Sequence, residues 1–307
     1  MAKIVFMGTP AFALPSLIAL MESHRVVGVV TQPDRRAGRR KRLRESPVKV
    51  LAREAGLTLM QPERIREEAA IETLRAWDAD LHVVVAYGQI LPQPLLDLPR
   101  FGTVNVHASL LPRWRGAAPI QAAIKAGDRE SGATIMLLDA GLDTGPLLAK
   151  RALPLAPDET GQSLHDKLSQ LGAELLVETL PRYLNGEIEP HEQDDSLATY
   201  APRIKKEEGR IDWTSSAQAI ERKVRAHTPW PGAYTGWAGA QLRILAGNHG
   251  AGRAEAGRVI EKNGKIAIGT GDGLYYPTSL QVPGKRRLRV ADFVNGYHDF
   301  AGALLDG

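Results

Sequence analysis

Short apolar runs alternate with longer segments of helical spacing through the first part of the chain. KIVFMG (3–8) is apolar up to Gly8, FALPSLIALM (12–21) has helix-like spacing, and RVVGVVTQ (25–32) is a second apolar run. Strand, helix and strand at this spacing predict a βαβ unit, hence a parallel sheet with right-handed crossovers. The pattern then repeats. SPVKVLAREAG (46–56) predicts a capped helix ending at Gly56, LTLMQP (57–62) a short strand, and PERIREEAAIETLRAW (62–77) an amphipathic helix. ADLHVVVAYG (79–88) is β-branched and nearly continuous in its apolar residues, as strands buried on both faces are. TVNVH (103–107) and ATIMLLD (133–139) predict further strands, and TGQSLHDKLSQLGAELLVETLPRYL (160–184) a long amphipathic helix.

The periodicity breaks after that helix. Residues 185–213 are polar and charged and read as a connection. Beyond them SSAQAIERKVRA (215–226) predicts one helix. AYTGWA, QLRILAG, AGRVIEK, GKIAIGTGDG and GLYYPTSLQ follow, short runs broken by glycines. Such a series predicts a small β-barrel or sandwich. The expected division is a domain over 1–190, a linker over 191–206 and a second domain over 207–307. A length of 307 residues suits two domains.

Composition narrows the chemistry. The chain has no cysteine, which removes disulfides, zinc thiolates and thiol catalysis. No signal-peptide pattern opens the sequence, and no apolar run approaches the ~18 residues of a membrane span. The expectation is a cytoplasmic protein without a membrane partner. The net charge of +4 hides an asymmetry. Residues 1–202 hold 23 basic and 25 acidic side chains, whereas 203–307 hold 16 and 10. Within the first part, 34–49 alone holds 8 basic and 2 acidic residues. Positive charge is thus concentrated in one short segment and the C-terminal third, which suggests a polyanionic partner, although many charge runs are only solvated surface.

Two polar residues interrupt the apolar strand TVNVH. Asn105 and His107 are two apart, so they share a face, and they stand at the C-terminal end, where parallel sheets place their ligands. An amide and a charged imidazole both donate hydrogen bonds and together suit an oxyanion. The alternative is a pair of satisfied core residues. Asp143 lies in GLDTG, where Gly141 and Gly145 permit unusual backbone and would hold the acid in place. A carboxylate there keeps His107 protonated or accepts a proton. Asn, His and Asp then form an acyl-transfer site in which the amine substrate is its own nucleophile. The turn MGTPAF (7–12) lacks both the dinucleotide and the P-loop glycine patterns and is either a tight turn or a wall of the ligand crevice. Seven basic residues lie between Arg35 and Arg44, and KRRLR (285–289) forms a second cluster. Two separated clusters fit a long polyanion. No metal-ligand spacing is present, so no metal is expected.

The motifs NVHASLLPRWRGAAPIQ, GLDTG, FMGTPAFA, VTQPDRRAGR, PVKVLA, VVVAYGQILP, EEGRIDW and HTPWPGAY together resemble the methionyl-tRNA formyltransferases, within the 10-formyltetrahydrofolate-dependent transferases. The likeness runs over nearly the whole chain. Asn and His with S-L-L-P and a downstream Asp mark all formyl-folate enzymes, whereas PRWRGAAPIQ and the basic QPDR segment are narrower. The resemblance implies an α/β protein: a Rossmann-like, mostly parallel sheet domain binding formyl-folate, plus a small OB-like β-barrel at the C-terminus. It implies formyl transfer from 10-formyltetrahydrofolate, a co-substrate, to the α-amino group of methionine on initiator tRNA, with no metal. Asn105, His107 and Asp143 match the catalytic trio. Ser109, Leu110, Leu111 and Pro112 match the folate-binding stretch, joined by Gln89 and Ile90. Arg39 matches the loop arginine that reads the acceptor stem. Arg35, Arg36, Arg40, Lys41 and Arg42, with Lys285, Arg286 and Arg287, are the further candidates for tRNA contact. Ala108 stands where many members have glycine, a departure that leaves the donor groups in place. A monomer in a bacterial cytoplasm is expected. The rivals are a formyl-folate transferase or hydrolase with a small acceptor, a non-catalytic RNA-binding protein, and a nicotinamide oxidoreductase.

Overall fold

The computed structural model describes residues 1–37 and 42–306. The chain forms two compact units: one of 1–119, 130–154 and 165–201, the other of 120–129, 155–164 and 202–307.

The first unit is built on β1 (Lys3–Gly8), β2 (Arg25–Val30), β5 (Leu59–Met60), β6 (Leu81–Val85), β7 (Thr103–His107), β8 (Glu130–Leu137) and β9 (Leu147–Pro154). Between β2 and β5 lies a separate two-stranded hairpin of β3 (Arg35–Ala37) and β4 (Arg42–Arg44). The seven strands run in the order β5-β2-β1-β6-β7-β8-β9, parallel from β5 to β7 and antiparallel beyond. Helices α1 (Leu14–Ser23), α2 (Pro47–Glu54), α3 (Glu68–Ala76) and α4 (Gln93–Leu96) belong to this unit, as does most of α6 (Gly161–Leu184), which follows α5 (Pro119–Ala126). Ser46 caps α2 by accepting the Lys49 amide, and Gly56 ends it at φ +66°. Every residue of β6 is buried, and Val5, Met7, Val30, Leu74, Val84 and Leu95 share one core cluster.

Helix α3 is shorter than the amphipathic pattern over 62–77 predicts. The missing start is held by a side chain. Gln89 Oε1 accepts from the Ile65 amide at 2.8 Å, and its Nε2 donates to the carbonyls of Pro62 (3.2 Å) and Glu63 (3.4 Å). Backbone groups satisfied this way no longer need a helical turn. Strand β9 escapes the sequence pattern because it is an edge strand, with Lys150, Ala152 and Pro154 exposed on one face and the half-buried Arg151 on the other.

The second unit carries α7 (Ala217–Ala226), capped by Ser216, and an antiparallel sheet. Its strands are β10 (Ala233–Trp237), β11 (Ala240–Gly250), β12 (Val259–Lys262), β13 (Lys265–Gly269), β14 (Leu274–Gln281) and β15 (Leu288–Arg289), with α8 (Val290–Gly296) after them. The order is β10-β11-β14-β13-β12, with β15 on β14. The last residues join the two edges: Asp306 bridges Gly236 of β10, and Leu304 bridges Arg258 beside β12. The sheet is thereby closed into a small barrel around Trp213, Leu242, Ile268, Tyr275, Phe293 and Leu305. No helix among the described residues is long and apolar enough to cross a membrane.

Candidate active site

Strand β7 lies inside the first sheet, between β6 and β8, and its five residues are all buried. Asn105 faces Val84 and Met136 across the ladder, and His107 faces Thr134. Asn105 is 9% exposed, and no hydrogen bond to its side-chain amide is present among the described residues. Such an amide has both N–H groups free to donate to a bound molecule. His107 Nε2 lies 3.0 Å from the carbonyl oxygen of Trp114. A carbonyl only accepts, so this nitrogen carries its hydrogen. Nδ1 faces Asp143 Oδ2 across 3.7 Å. Asp143 is itself fixed: Oδ2 accepts the Gly116 amide at 2.7 Å.

The GLDTG turn works differently from what its glycines predict. Neither Gly141 nor Gly145 has a positive φ, and Asp143 itself is left-handed at φ +54°. Gly145 is small for want of space, because a Cβ there would meet the Leu137 carbonyl oxygen at 2.0 Å. The turn also starts where β8 pairs with Val104, three residues before His107 along β7. The side chains of Asp143 and His107 meet across 3.7 Å nonetheless, and Asn105 shares the face of β7 that carries His107.

The loop after His107 is braced throughout. Thr134 Oγ1 donates to the Ser109 carbonyl at 2.6 Å and accepts the Leu111 amide at 3.2 Å. Ser109 Oγ donates to the Arg113 carbonyl at 2.6 Å, and Lys150 Nζ to the Leu111 carbonyl at 3.1 Å. Ser109 and Leu111 are fully buried, whereas Leu110 and Pro112 are half-buried; the Leu111–Pro112 peptide is cis. Trp114 is left-handed at φ +63°, with the Arg113 guanidinium 4.4 Å from its ring centre. Arg115 is 1% exposed and pairs with Asp195 at 2.7 Å. Of the two arginines beside Trp114, one stacks on it and the other is internal.

Residues 199–201 complete this brace. The Trp114 amide donates to Thr199 Oγ1 at 2.9 Å, the Arg115 amide to the Thr199 carbonyl at 2.8 Å, and the Ala201 amide to the Arg115 carbonyl at 2.7 Å. Thr134, Lys150, Gln193 and Thr199 carry no motif, so spacing alone did not mark them. In the MGTP turn, Thr9 Oγ1 donates to the Tyr87 carbonyl at 2.9 Å. Gln89 is spent on residues 62–65, as above, while Ile90 is 91% exposed.

The basic segment is a hairpin pairing Arg35 with Arg44 and Arg36 with Leu43. Its foot is anchored: Asp34 pairs with Lys49 at 2.6 Å and accepts from Gln61 at 2.9 Å. Those two hydrogen bonds hold the Asp34 carboxyl below the usual range. Arg35 is exposed and donates to Gln32 at 3.1 Å, and Arg42 stands in β4. Arg39, Arg40 and Lys41 lie outside the described residues. In the second unit Lys285 and Arg286 are exposed between β14 and β15, while Arg287 Nε donates to Ser279 Oγ at 2.7 Å.

Residues 2–180 match the formyl transferase family model, and residues 203–298 match that of the formyl transferase C-terminal domain. The methionyl-tRNA formyltransferase of Citrifermentans bemidjiense is 49% identical over 99% of this chain and 96% of its own length. That of Halorhodospira halophila is 52% identical over 96% of each. HypX of Aquifex aeolicus, solved in complex with tetrahydrofolic acid, superposes with a TM-score of 0.63 at 19% identity, over 98% of this chain and 48% of HypX.

Proposed function

The chain belongs to the formyl transferase family, and from that premise we propose that it formylates the α-amino group of methionine on initiator methionyl-tRNA, taking the formyl group from 10-formyltetrahydrofolate. The observation that carries the reading is the Asn105 amide on the same face of β7 as His107, whose imidazole faces the Asp143 carboxylate. The high identity to methionyl-tRNA formyltransferases over both domains favours this acceptor over a small molecule.

In the reaction the amine nitrogen bonds to the formyl carbon, the bond from that carbon to folate N10 breaks, one amine proton is lost and N10 gains a proton. Asn105 donates to the formyl oxygen as negative charge develops there. His107 Nε2 is committed to the Trp114 carbonyl, so Nδ1 is the atom left for the substrate. To donate from both nitrogens the ring must be an imidazolium, and the neighbouring Asp143 carboxylate supplies the opposite charge. Asp143 would also accept the amine proton. Its 3.7 Å distance to Nδ1 is of the kind that tightens when substrate binds. Loop 109–112 and Ile90 would border the folate. Arg35 and the rest of the basic hairpin, with Lys285, Arg286 and Arg287, would hold the tRNA phosphates. We assign formyl chemistry to residues 1–190 and tRNA binding to 207–307, with 191–206 connecting them. We also assign the enzyme to the bacterial cytoplasm, working as a monomer.

The test is an acceptor screen with 10-formyltetrahydrofolate. The expected result is formyl-methionine on initiator tRNA, with elongator tRNAs and amino sugars left unmodified. Formylation of a small amine in place of the tRNA would overturn the reading.

A further inference from the structure

The segment 191–197 is exposed except at Gln193, which is half-buried. One amide there meets two structures at once. Gln193 Oε1 accepts from Arg115 Nε at 3.1 Å and from its NH2 group at 2.9 Å. Gln193 Nε2 donates to the Asp143 carbonyl at 2.9 Å and to the Gly145 carbonyl at 2.8 Å. The orientation is dictated by the partners: a reversed amide would set donors against the guanidinium and an oxygen against two carbonyls. Every hydrogen and lone pair of the amide is therefore used.

What Gln193 grips is a turn of the site with a left-handed residue. Asp143 holds a left-handed backbone, which a non-glycine residue keeps only when its surroundings enforce it. Bonds to the carbonyls of 143 and 145 hold the turn directly after that residue. The other end of the amide is tied to a guanidinium that is 1% exposed and held by Asp195. Arg115 directly precedes Gly116, whose amide donates to the Asp143 carboxylate. Gln193 thus ties the Asp143 turn to the loop that carries the carboxylate's own donor.

We infer that Gln193 is a positioning residue for Asp143, with Arg115 as its anchor. The inference rests on the proposed role of Asp143 in formyl transfer. A carboxylate displaced by about 1 Å can cost ~100-fold in rate without a change in binding.

The test is single-turnover and steady-state formylation by the full chain carrying Gln193→Leu, Gln193→Glu or Asp143→Asn, and by the Asp143→Asn double variants. Gln193→Glu keeps the acceptor for Arg115 but sets a carboxylate against the two turn carbonyls. Both Gln193 variants are expected to lose about 10- to 100-fold in kcat, with KM for folate and tRNA within about 3-fold. Gln193→Glu is expected to melt closer to the parent than Gln193→Leu does. In the Asp143→Asn background the same changes are expected to cost less than about 3-fold, because the group they position is already gone. Equal losses in both backgrounds, a loss confined to KM, or parent-like turnover of Gln193→Glu would each overturn the inference. Parent-like turnover by Asp143→Asn alone would instead overturn the reading of the site.

Discussion

His107 Nε2 donates a 3.0 Å hydrogen bond to the carbonyl of Trp114, seven residues along the chain, so the imidazole is oriented by the loop that follows it. His107→Ala removes the substrate-facing Nδ1 and also leaves that carbonyl without its donor. The expected result is a loss of at least ~100-fold in kcat and a stability loss of about 1 kcal/mol. Single-turnover formylation and thermal melting measure the two, and near-parental turnover would remove His107 from the mechanism.

Asn105 should behave differently. Its amide has no hydrogen-bond partner among the described residues, so Asn105→Ala breaks no bond in the fold. The rate is expected to fall by at least ~100-fold, while unfolding free energy stays within about 1 kcal/mol of the parent. A variant that melts early but turns over normally would show the side chain to be a packing residue.

Charge at the proposed tRNA surfaces should read out in salt dependence. Lys285 and Arg286 are exposed. Each phosphate contact they make contributes ~0.7 to 0.9 to the slope of log affinity against log salt. Lys285→Ala/Arg286→Ala is expected to flatten that slope, as is Arg39→Ala/Arg40→Ala/Lys41→Ala in the basic segment. Filter binding of initiator tRNA from low to moderate salt is the measurement, and unchanged slopes would separate these residues from the nucleic acid.

Buried histidines, chiefly His82 and His227, make stability depend on pH. His82 is 1% exposed and His227 is fully buried, and burial pushes both imidazoles down from 6.5 to about 4, with Lys125 and Lys223 adding to the effect at His227. Between about pH 6.5 and 4 the unfolded chain binds protons that the folded chain refuses. Stability is therefore full above this window and is lost as pH falls through it, by up to about 1.4 kcal/mol for each histidine over one pH unit. His227→Leu removes one of these contributions. Denaturant titrations are expected to show a shallower loss of stability from pH 6.5 to 4 than in the parent, and an identical slope would contradict the assignment.

The parallel core was legible because buried strands such as ADLHVVVAYG are continuous apolar runs and need no tertiary information. Edge strand β9 was not, since LLAKRALP is half polar, nor was the shortened start of α3, which depends on a glutamine distant in sequence. At the site, Asn105 and His107 stood out as polar residues in an apolar strand, and GLDTG as a turn. The left-handed residue of the turn is Asp143, whereas glycine is needed at 145 for room. Gln193 and Thr199 were invisible, because a polar residue in a polar segment carries no signal until the segment is seen to lie against the loop after β7.

Gly116 points to a limit of side-chain mutagenesis at this site. Its φ is +109°, and a Cβ there would lie 2.8 Å from the Ala201 carbonyl oxygen. The donor it gives Asp143 belongs to the peptide bond. An alanine scan would read the position as a folding defect and never see the bond. Only an amide-to-ester exchange, which removes one hydrogen and leaves the shape, would reveal what that main-chain group contributes.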